Sequence, residues 1–230
     1  MMLQPAEVEV VLLSLRVALL AVLGSLVPAV AVAWVLARFR FPGKSLFDAL
    51  VHLPLLLPPV LTGYALLVAF GNQGAIGAWL GDVLGIELAF RWTGAVLAAA
   101  VMAFPLFVRA IRLSFEAIPR EYEEMAASLG ARRWATFLQV DLPLAMPGLA
   151  AGAALAFAKA LGEFGATITF VSSIPGETRT LSLAMHQLMQ QPGGEGGITR
   201  LAIVSLLLAL GALLASEWLA RRSRVRRASE

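Results

Sequence analysis

The chain has 230 residues, of which 59% are hydrophobic and 14% charged, with a formal net charge of +3. Soluble domains are about 45–50% apolar, so the composition predicts an all-α integral membrane protein and excludes an ordinary soluble domain. The basic residues flank apolar runs and do not form a basic patch of the kind that binds a nucleic-acid groove, so no nucleic-acid partner is predicted. Cysteine is absent and the two histidines, His52 and His186, are isolated, so no metal site or other cofactor is predicted either.

The first apolar run covers about residues 8–37 and follows two acidic residues, Glu7 and Glu9. A secretory signal would begin with basic residues and have a shorter apolar core, so we predict a retained membrane span. Arg16 lies near the start of this span. Its side chain either extends to the membrane interface or faces a water-filled path.

The segment RFRFPGKS, residues 38–45, ends in the GKS of a phosphate-binding loop. That loop requires a glycine at position 38 and a preceding strand, whereas this chain has Arg38 and a predicted membrane helix. We therefore interpret Arg38, Arg40 and Lys44 as a basic turn on the cytoplasmic side of the membrane.

The second span, about residues 46–70, carries Pro54, Pro58 and Pro59. Each proline removes a backbone donor, so this helix is predicted to be broken or strongly kinked near its middle. Freed carbonyls are tolerated at membrane depth where they are buried in protein or line a wet cavity. The break is therefore either part of a pore or a packing irregularity. Residues 71–91 are predicted to form an external loop, followed by a third span at about 93–115.

Residues 119–147 form the long polar segment between these apolar runs, and they predict a helix, a turn and a second short helix on the membrane surface. Pro119 can begin the first helix, and the acidic residues of its first turn suit the positive end of the helix dipole. Gly130 is predicted to end that helix in a left-handed conformation. Trp134 and Phe137 belong to the second short helix, before the next apolar run.

The residues of this segment resemble the loop E-A-A-x3-G-x9-I-x-L-P of the membrane subunits of ABC importers. Glu124, Ala126, Gly130 and the pair Leu142-Pro143 match it, whereas Met125 and Val140 replace an alanine and an isoleucine. In that family the loop is a cytoplasmic coupling helix that docks into a groove of the ATPase subunit. The resemblance implies a type I importer (MetI-like) permease fold, a coupling loop at residues 119–142, and the following ATPase-coupling residues: Glu124, Ala126, Ala127, Gly130, Leu142 and Pro143.

The fourth span is predicted at about residues 143–171 and contains Lys159 and Glu163, which share a helix face four residues apart. This pair is either a structural contact or a nearly neutral charge pair that lines the path of an anion. A short helix at 181–190 is too brief to cross a membrane, and the last span covers about 198–219. The candidate translocation path comprises Pro58, Pro59, Lys159, Gly162, Glu163 and Gly165.

The distribution of positive charge predicts the orientation of these five spans. With the coupling loop inside, the amino terminus is outside and the carboxyl terminus is inside. About thirteen of the 18 Lys and Arg residues then lie in inner segments, and only Arg91, Arg179 and Arg200 lie in outer ones. We therefore expect a single multi-pass domain, residues 1–230, in a bacterial cytoplasmic membrane and in contact with its lipid.

A second resemblance concerns the substrate. The run ALGEFGATITFVSSIPGETRTLSLAM, residues 160–185, is similar to the corresponding stretch of molybdate importer permeases, as are HLPLLLPPVLTGY and FPLFVRAIR. The resemblance implies a homodimer that works with two ATPase subunits and an external oxyanion-binding protein, and that imports molybdate or possibly tungstate. Sulfate and thiosulfate permeases share the Gly-Glu-aromatic-Gly core, so they remain an alternative.

Two other classes of function remain for such a chain. An intramembrane enzyme would need a nucleophile with a base, or a metal cluster, and the chain lacks the residues for either. A passive anion channel is harder to exclude from composition. The coupling loop argues against it, because a channel has no use for a helix that docks an ATPase.

Overall fold

The computed structural model describes the backbone of residues 3–228 and their side chains, except those of residues 216 and 218–228. Within this range the regular elements are eleven α-helices and one π-helical segment. They are α1 (Pro5–Arg38), α2 (Lys44–Leu56), α3 (Pro59–Phe70), α4 (Ala75–Leu84), α5 (Trp92–Glu116), α6 (Glu121–Ser128), α7 (Arg133–Thr136), the π segment (Phe137–Asp141), α8 (Leu142–Leu161), α9 (Gly165–Val171), α10 (Leu181–Met189) and α11 (Glu195–Ala228).

Four helical runs among the described residues are long and apolar enough to cross a membrane. They are Pro5–Arg38, Trp92–Glu116, Arg133–Leu161 and Glu195–Ala215. A fifth crossing is possible if the bent pair of α2 and α3 counts as one span. The helix α4 lies within residues 71–91, and the predicted short helix at 181–190 is α10.

The core lies where α1, α5 and α8 pack together. Small residues fill much of it, including Ala29 and Ala33 of α1 and Ala98 of α5. Because alanine and glycine let helix backbones approach closely, the contact needs few large side chains. On α8, a Cβ added at Gly148 would collide with the Ser114 side chain of α5, so a larger residue would force the two helices apart.

The second predicted span is broken, as its prolines indicated. The axes of α2 and α3 differ by 110°, and the break lies at Leu57 and Pro58. Pro58 is the N-cap of α3 and Pro59 is its first residue. Proline is favoured at that position because the missing N–H would have no partner inside the helix.

The fourth predicted span is also interrupted, which the sequence interpretation as one run over 143–171 missed. The helix α8 ends at Leu161, and α9 begins only at Gly165. At its other end the span begins earlier than expected. The predicted second short helix, with Trp134 and Phe137, is not separate, because α7, the π segment and α8 form one continuous helical run.

Ion pairs and ring contacts show which helix ends lie together. Near the start of α1, Glu7 pairs with Arg200 of α11 at 2.7 Å, and the Arg16 guanidinium lies 3.7 Å from the ring centroid of Trp92, the first residue of α5. At the other end of α1, Arg38 hydrogen-bonds the Ile118 carbonyl just beyond α5. The starts of α1, α5 and α11 therefore share one end of the bundle, and residues 119–142 lie at the other.

Candidate functional site

The helix α6 occupies the predicted coupling segment and stands away from the core. It begins at Glu121 with three acidic residues in its first turn, two residues after Pro119. None of its residues is buried. A cavity of about 250 Å³ separates it from the end of α1, and polar residues such as Glu124 and Arg133 line this cavity. Tertiary packing therefore does little to hold α6 in place.

Gly130 reverses the chain after α6 in the left-handed conformation that the sequence predicted, with φ +82°. The N–H of Gly130 bonds the Ala127 carbonyl at 3.0 Å, and the N–H of Ala131 bonds the Ala126 carbonyl at 3.0 Å. This pair of bonds is a Schellman motif, which satisfies carbonyls that a helix end would otherwise leave free. A Cβ at Gly130 would meet no atom within 4 Å, so the requirement for glycine is conformational and not steric.

An apolar face of α6 points away from the protein, and sequence reasoning did not single it out. Tyr122, Met125 and Leu129 are exposed, and their spacing of three and four residues places them on one side of the helix. Leu129 has an exposed fraction of 87%, and Trp134 beyond the turn is exposed as well. The helical spacing was the available signal, but the matched loop pattern drew attention to the glutamate, alanines and glycine instead.

The six predicted coupling residues fall into two groups. Glu124 and Ala127 are exposed on α6, Ala126 is partly buried there, and Gly130 forms the turn. Leu142 and Pro143 lie instead at the start of α8, where Leu142 packs against the hydrophobic core. A partner seated on α6 would therefore meet the first group, whereas Leu142 has a structural contact of its own.

A buried polar cluster lies behind α6, at the carboxyl end of α1. Trp34 donates its indole N–H to the Asp141 carboxylate at 3.1 Å. The Arg38 guanidinium bonds the Ile118 carbonyl at 3.3 Å, lies 3.5 Å from Asp141, and lies 2.6 Å from Glu123 of α6. Sequence reasoning placed Arg38 in a basic turn but found none of its partners, because they lie 80 or more residues further along the chain.

The candidate path residues come together where the two interrupted spans meet. The starts of α3 and α9 are in contact, since a Cβ added at Gly165 would lie 2.7 Å from the Pro59 Cβ. One turn further along α3, a Cβ at Gly63 would lie 2.5 Å from the Ala166 carbonyl oxygen. Gly63 was not predicted, although it is as necessary to this close packing as Gly165.

Lys159 and Glu163 form the predicted ion pair, although not as two residues of one helix. Lys159 Nζ lies 2.7 Å from Glu163 Oε2, and Gly162 ends α8 between them. The other oxygen of Glu163 accepts the Ala166 N–H at 3.1 Å, so this carboxylate also satisfies a backbone donor at the start of α9. The Glu163 side chain is only 2% exposed, and Lys159 therefore supplies the charge that a buried carboxylate needs.

The segment IPGET, residues 174–178, follows α9 and is organised by one buried hydroxyl. Thr178 Oγ1 accepts the Ile174 N–H at 2.9 Å and donates its one proton to the Ser172 carbonyl oxygen at 3.0 Å, at the end of α9. Glu177 lies 3.8 Å from Arg91, which precedes α5. Among the described residues, no group of three or more His, Asp or Glu side chains is placed to hold a metal ion.

Several long apolar helices and an exposed polar helix at one end of the bundle define a multi-pass membrane protein. The family model for the binding-protein-dependent transport system inner membrane component matches residues 29–225. The chain belongs to this family of transport subunits.

Curated relatives cover nearly the whole chain. The Molybdenum transport system permease protein ModB of Escherichia coli (strain K12) is 58% identical over 98% of this chain and 99% of the relative. The protein of the same name from Haemophilus influenzae is 53% identical over 94% of both chains. The Sulfate transport system permease protein CysT of Escherichia coli (strain K12) is 40% identical over 79% of this chain and 64% of the relative.

The fold has solved counterparts in ABC transporters. The inward-facing MetNI methionine ABC transporter contains a chain that superimposes with a TM-score of 0.76 at 17% identity, covering 96% of this chain and 99% of that one. A chain of the bacterial alginate ABC transporter, solved with its alginate-bound periplasmic protein, gives a TM-score of 0.75 at 17% identity, covering 95% of this chain and 80% of that one. The fold is thus that of the MetI-like permeases of ABC importers.

Proposed function

We propose that this chain is the membrane subunit of an ATP-driven importer of molybdate. The observation that carries the proposal is the 58% identity to a molybdenum transport permease over essentially full length. Identity near 40% would not decide the substrate, because a sulfate permease at 40% and the Mycobacterium tuberculosis molybdenum permease at 39% are equally similar to this chain. The relatives at 58% and 53% identity are molybdenum permeases, and they favour molybdate over sulfate.

Coupling to a separate ATPase subunit would occur through α6 and its turn. The exposed face of Tyr122, Met125 and Leu129 offers apolar area to a groove, and Glu124 adds a negative charge beside it. A helix seated in a groove through side chains at such spacing is a common mode of protein recognition. Because the GKS of residues 43–45 lacks the context of a phosphate-binding loop, ATP hydrolysis belongs to the partner.

The path of the anion would pass the junction of α3 and α9. Both helices begin at an interruption of an apolar run, and membrane transporters build their substrate sites from such discontinuous helices. Glu163 alone would repel a dianion, but its pairing with Lys159 keeps the junction close to neutral. Such a junction allows passage without tight retention, as transport requires release as well as entry.

The orientation that we propose has five crossings, with the amino terminus outside. Because the ends of α1 and α5 meet at Arg38 and Ile118, residues 119–142 lie at the same end of the bundle as the basic turn at 38–44, and basic segments favour the inner side. The chain between α1 and α5 would then have to cross, so α2 and α3 would be one broken span. A cysteine at Gly194 should react with an impermeant thiol reagent in intact cells, whereas one at Ser223, whose side chain lies outside the described residues, should not. The opposite labelling pattern would overturn this orientation.

The assembly would contain two copies of this chain, two ATPase subunits and one external binding protein. One copy has too few helices to enclose a path, and apolar side chains remain exposed on α2, α3 and α11. Some of this surface would meet lipid and some would meet the second copy. Selection of the ion would rest mainly with the binding protein, since molybdate, tungstate and sulfate are all tetrahedral dianions.

Deletion of the gene tests the substrate. Cells without this protein should lose molybdenum-enzyme activity in medium with trace molybdate and regain it with excess molybdate. Growth on sulfate as the sole sulfur source is the matched control and should be unchanged. A requirement for reduced sulfur with molybdenum enzymes intact would replace molybdate by sulfate, and normal uptake of both ions would contradict the transport function.

A further inference from the structure

We propose that Arg38 is a positioning residue that links the coupling helix α6 to the first membrane helix α1 through its ion pair with Glu123. The inference rests on the proposed coupling role of α6 and adds a non-covalent connection to it. The covalent connections of α6 run back through Pro119 into α5 and onward through Gly130 into α7 and α8. The ion pair would connect α6 to α1 directly.

Arg38 is held firmly on the side of the membrane helices. Its guanidinium donates to the Ile118 carbonyl through two nitrogens at 3.3 Å and lies 3.5 Å from Asp141. Asp141 is itself fixed by the Trp34 indole and is only 2% exposed. Because these partners come from α1, the end of α5 and the π segment, the position of Arg38 is determined by three elements of the bundle.

Aromatic packing reinforces the same corner. The ring of Phe137, in the π segment, lies 4.7 Å from that of Trp34 and 6.3 Å from that of Phe115, measured between centroids. Phe137 and Phe115 are both buried. π-helical turns inside a helical run are often found at functional sites, and here the turn brings Asp141 to Arg38. The inner end of α1 and the start of α8 are therefore a single packed unit.

The contact between Arg38 and Glu123 differs from the others. Nε and Oε1 are 2.6 Å apart, but neither atom has an aligned hydrogen bond. The contact is thus held by charge, with the Arg38 side chain 7% exposed and that of Glu123 32% exposed. A buried guanidinium attracts a carboxylate more strongly than an exposed one, because solvent screens it less. Charge attraction also tolerates small changes of angle, as expected for a joint between parts that move.

Among the described residues, the ion pair of Glu123 is the side-chain hydrogen bond or ion pair that the structure shows between α6 and the membrane helices. No residue of α6 is buried, and the cavity of about 250 Å³ lies between α6 and the bundle. Glu123 is the residue of α6 that bridges this gap to α1. Displacement of α6 by an ATPase would therefore pull on Arg38, and Arg38 would transmit the displacement to α1.

The experiment uses the complete complex of permease, ATPase and binding protein, reconstituted in proteoliposomes. Glu123→Gln is the informative variant, because it removes the link while Arg38 keeps Asp141 and Ile118 as partners. Glu121→Gln is the matched control, since it removes the same charge from an exposed residue of the same helical turn. Three quantities are measured: retained ATPase, ATP hydrolysis stimulated by loaded binding protein, and molybdate transported per ATP hydrolysed.

We expect Glu123→Gln to retain the ATPase and its basal hydrolysis, and to lower the amount of molybdate transported per ATP hydrolysed about fivefold or more. A change of that size is what the loss of one modest interaction, about 1 kcal/mol, makes in an equilibrium. Arg38→Gln should have at least the same effect, and combining it with Glu123→Gln should add nothing to Arg38→Gln alone. Equal coupling in Glu123→Gln and Glu121→Gln would overturn the link. If the unmodified complex retains no ATPase, the coupling function itself is wrong and the link fails with it.

Discussion

Replacing Gly130 by valine tests whether the turn after α6 sets the position of the coupling helix. The left-handed conformation at φ +82° costs a residue with a side chain about 1–2 kcal/mol, and a β-branched residue tolerates it poorly. The open space around Gly130 means that no steric clash adds to this cost. Since α6 has no buried side chain to oppose the strain, the intact turn should lose about a factor of 5–30 in population relative to opened forms.

The assay is retention of the ATPase by purified Gly130→Val protein at several ATPase concentrations, with molybdate uptake measured in parallel. If only the intact turn binds, the apparent affinity falls with its population, by up to about 5- to 30-fold. The amount of protein in the membrane should stay normal, because the spans are stabilised by packing among themselves. Gly130→Asn should be milder, since asparagine tolerates the left-handed conformation.

Gly43 provides the matched control. It also has φ +82°, and a Cβ there would also meet no atom within 4 Å, but it precedes α2 and not the coupling turn. Gly43→Val therefore introduces the same strain elsewhere and should leave ATPase retention unchanged. Gly130→Val with normal uptake and a fully associated ATPase would refute the role of the turn.

Two further predictions concern the junction of α3 and α9. Gly63→Ala should lower the melting temperature in detergent, because its Cβ would meet the Ala166 carbonyl oxygen at 2.5 Å. Overpacking of this kind costs about 1–3 kcal/mol, and each kcal/mol lowers the melting temperature by roughly 2–4 °C. Gly24→Ala, in open space, is the control, and equal melting temperatures of the two variants would contradict the close packing. Lys159→Gln should also lower the melting temperature, since it leaves the buried Glu163 carboxylate unpaired. Adding Glu163→Gln to that variant should recover most of the loss. A Lys159→Gln protein as stable as the original would show that the ion pair is not needed for stability.

The sequence predicted those features of the fold that local chemistry determines. The proline run at 54–59 indicated the break between α2 and α3, and Gly130 indicated the turn after α6. The two resemblances indicated the family and its fold, which the comparisons confirm. Each of these signals lies within a few residues of the feature that it predicts.

The features that were missed depend on contacts between distant residues. The interruption at Gly162–Phe164 contains no proline, and the start of α9 packs closely through Gly165 against Pro59, about a hundred residues earlier in the chain. The cluster around Arg38 joins residues more than a hundred positions apart. Periodicity and spacing describe neighbours along one helix, so they cannot identify such partners.

The exposure of α6 has a consequence for the subunit before it meets its ATPase. A helix of eight residues is too short to be stable alone in water, and no buried side chain of α6 compensates for that. Residues 121–130 should therefore open locally at a free energy well below that of the membrane bundle. Backbone amide exchange over these residues then becomes a measure of ATPase occupancy, fast in the solitary permease and slow in the assembled transporter.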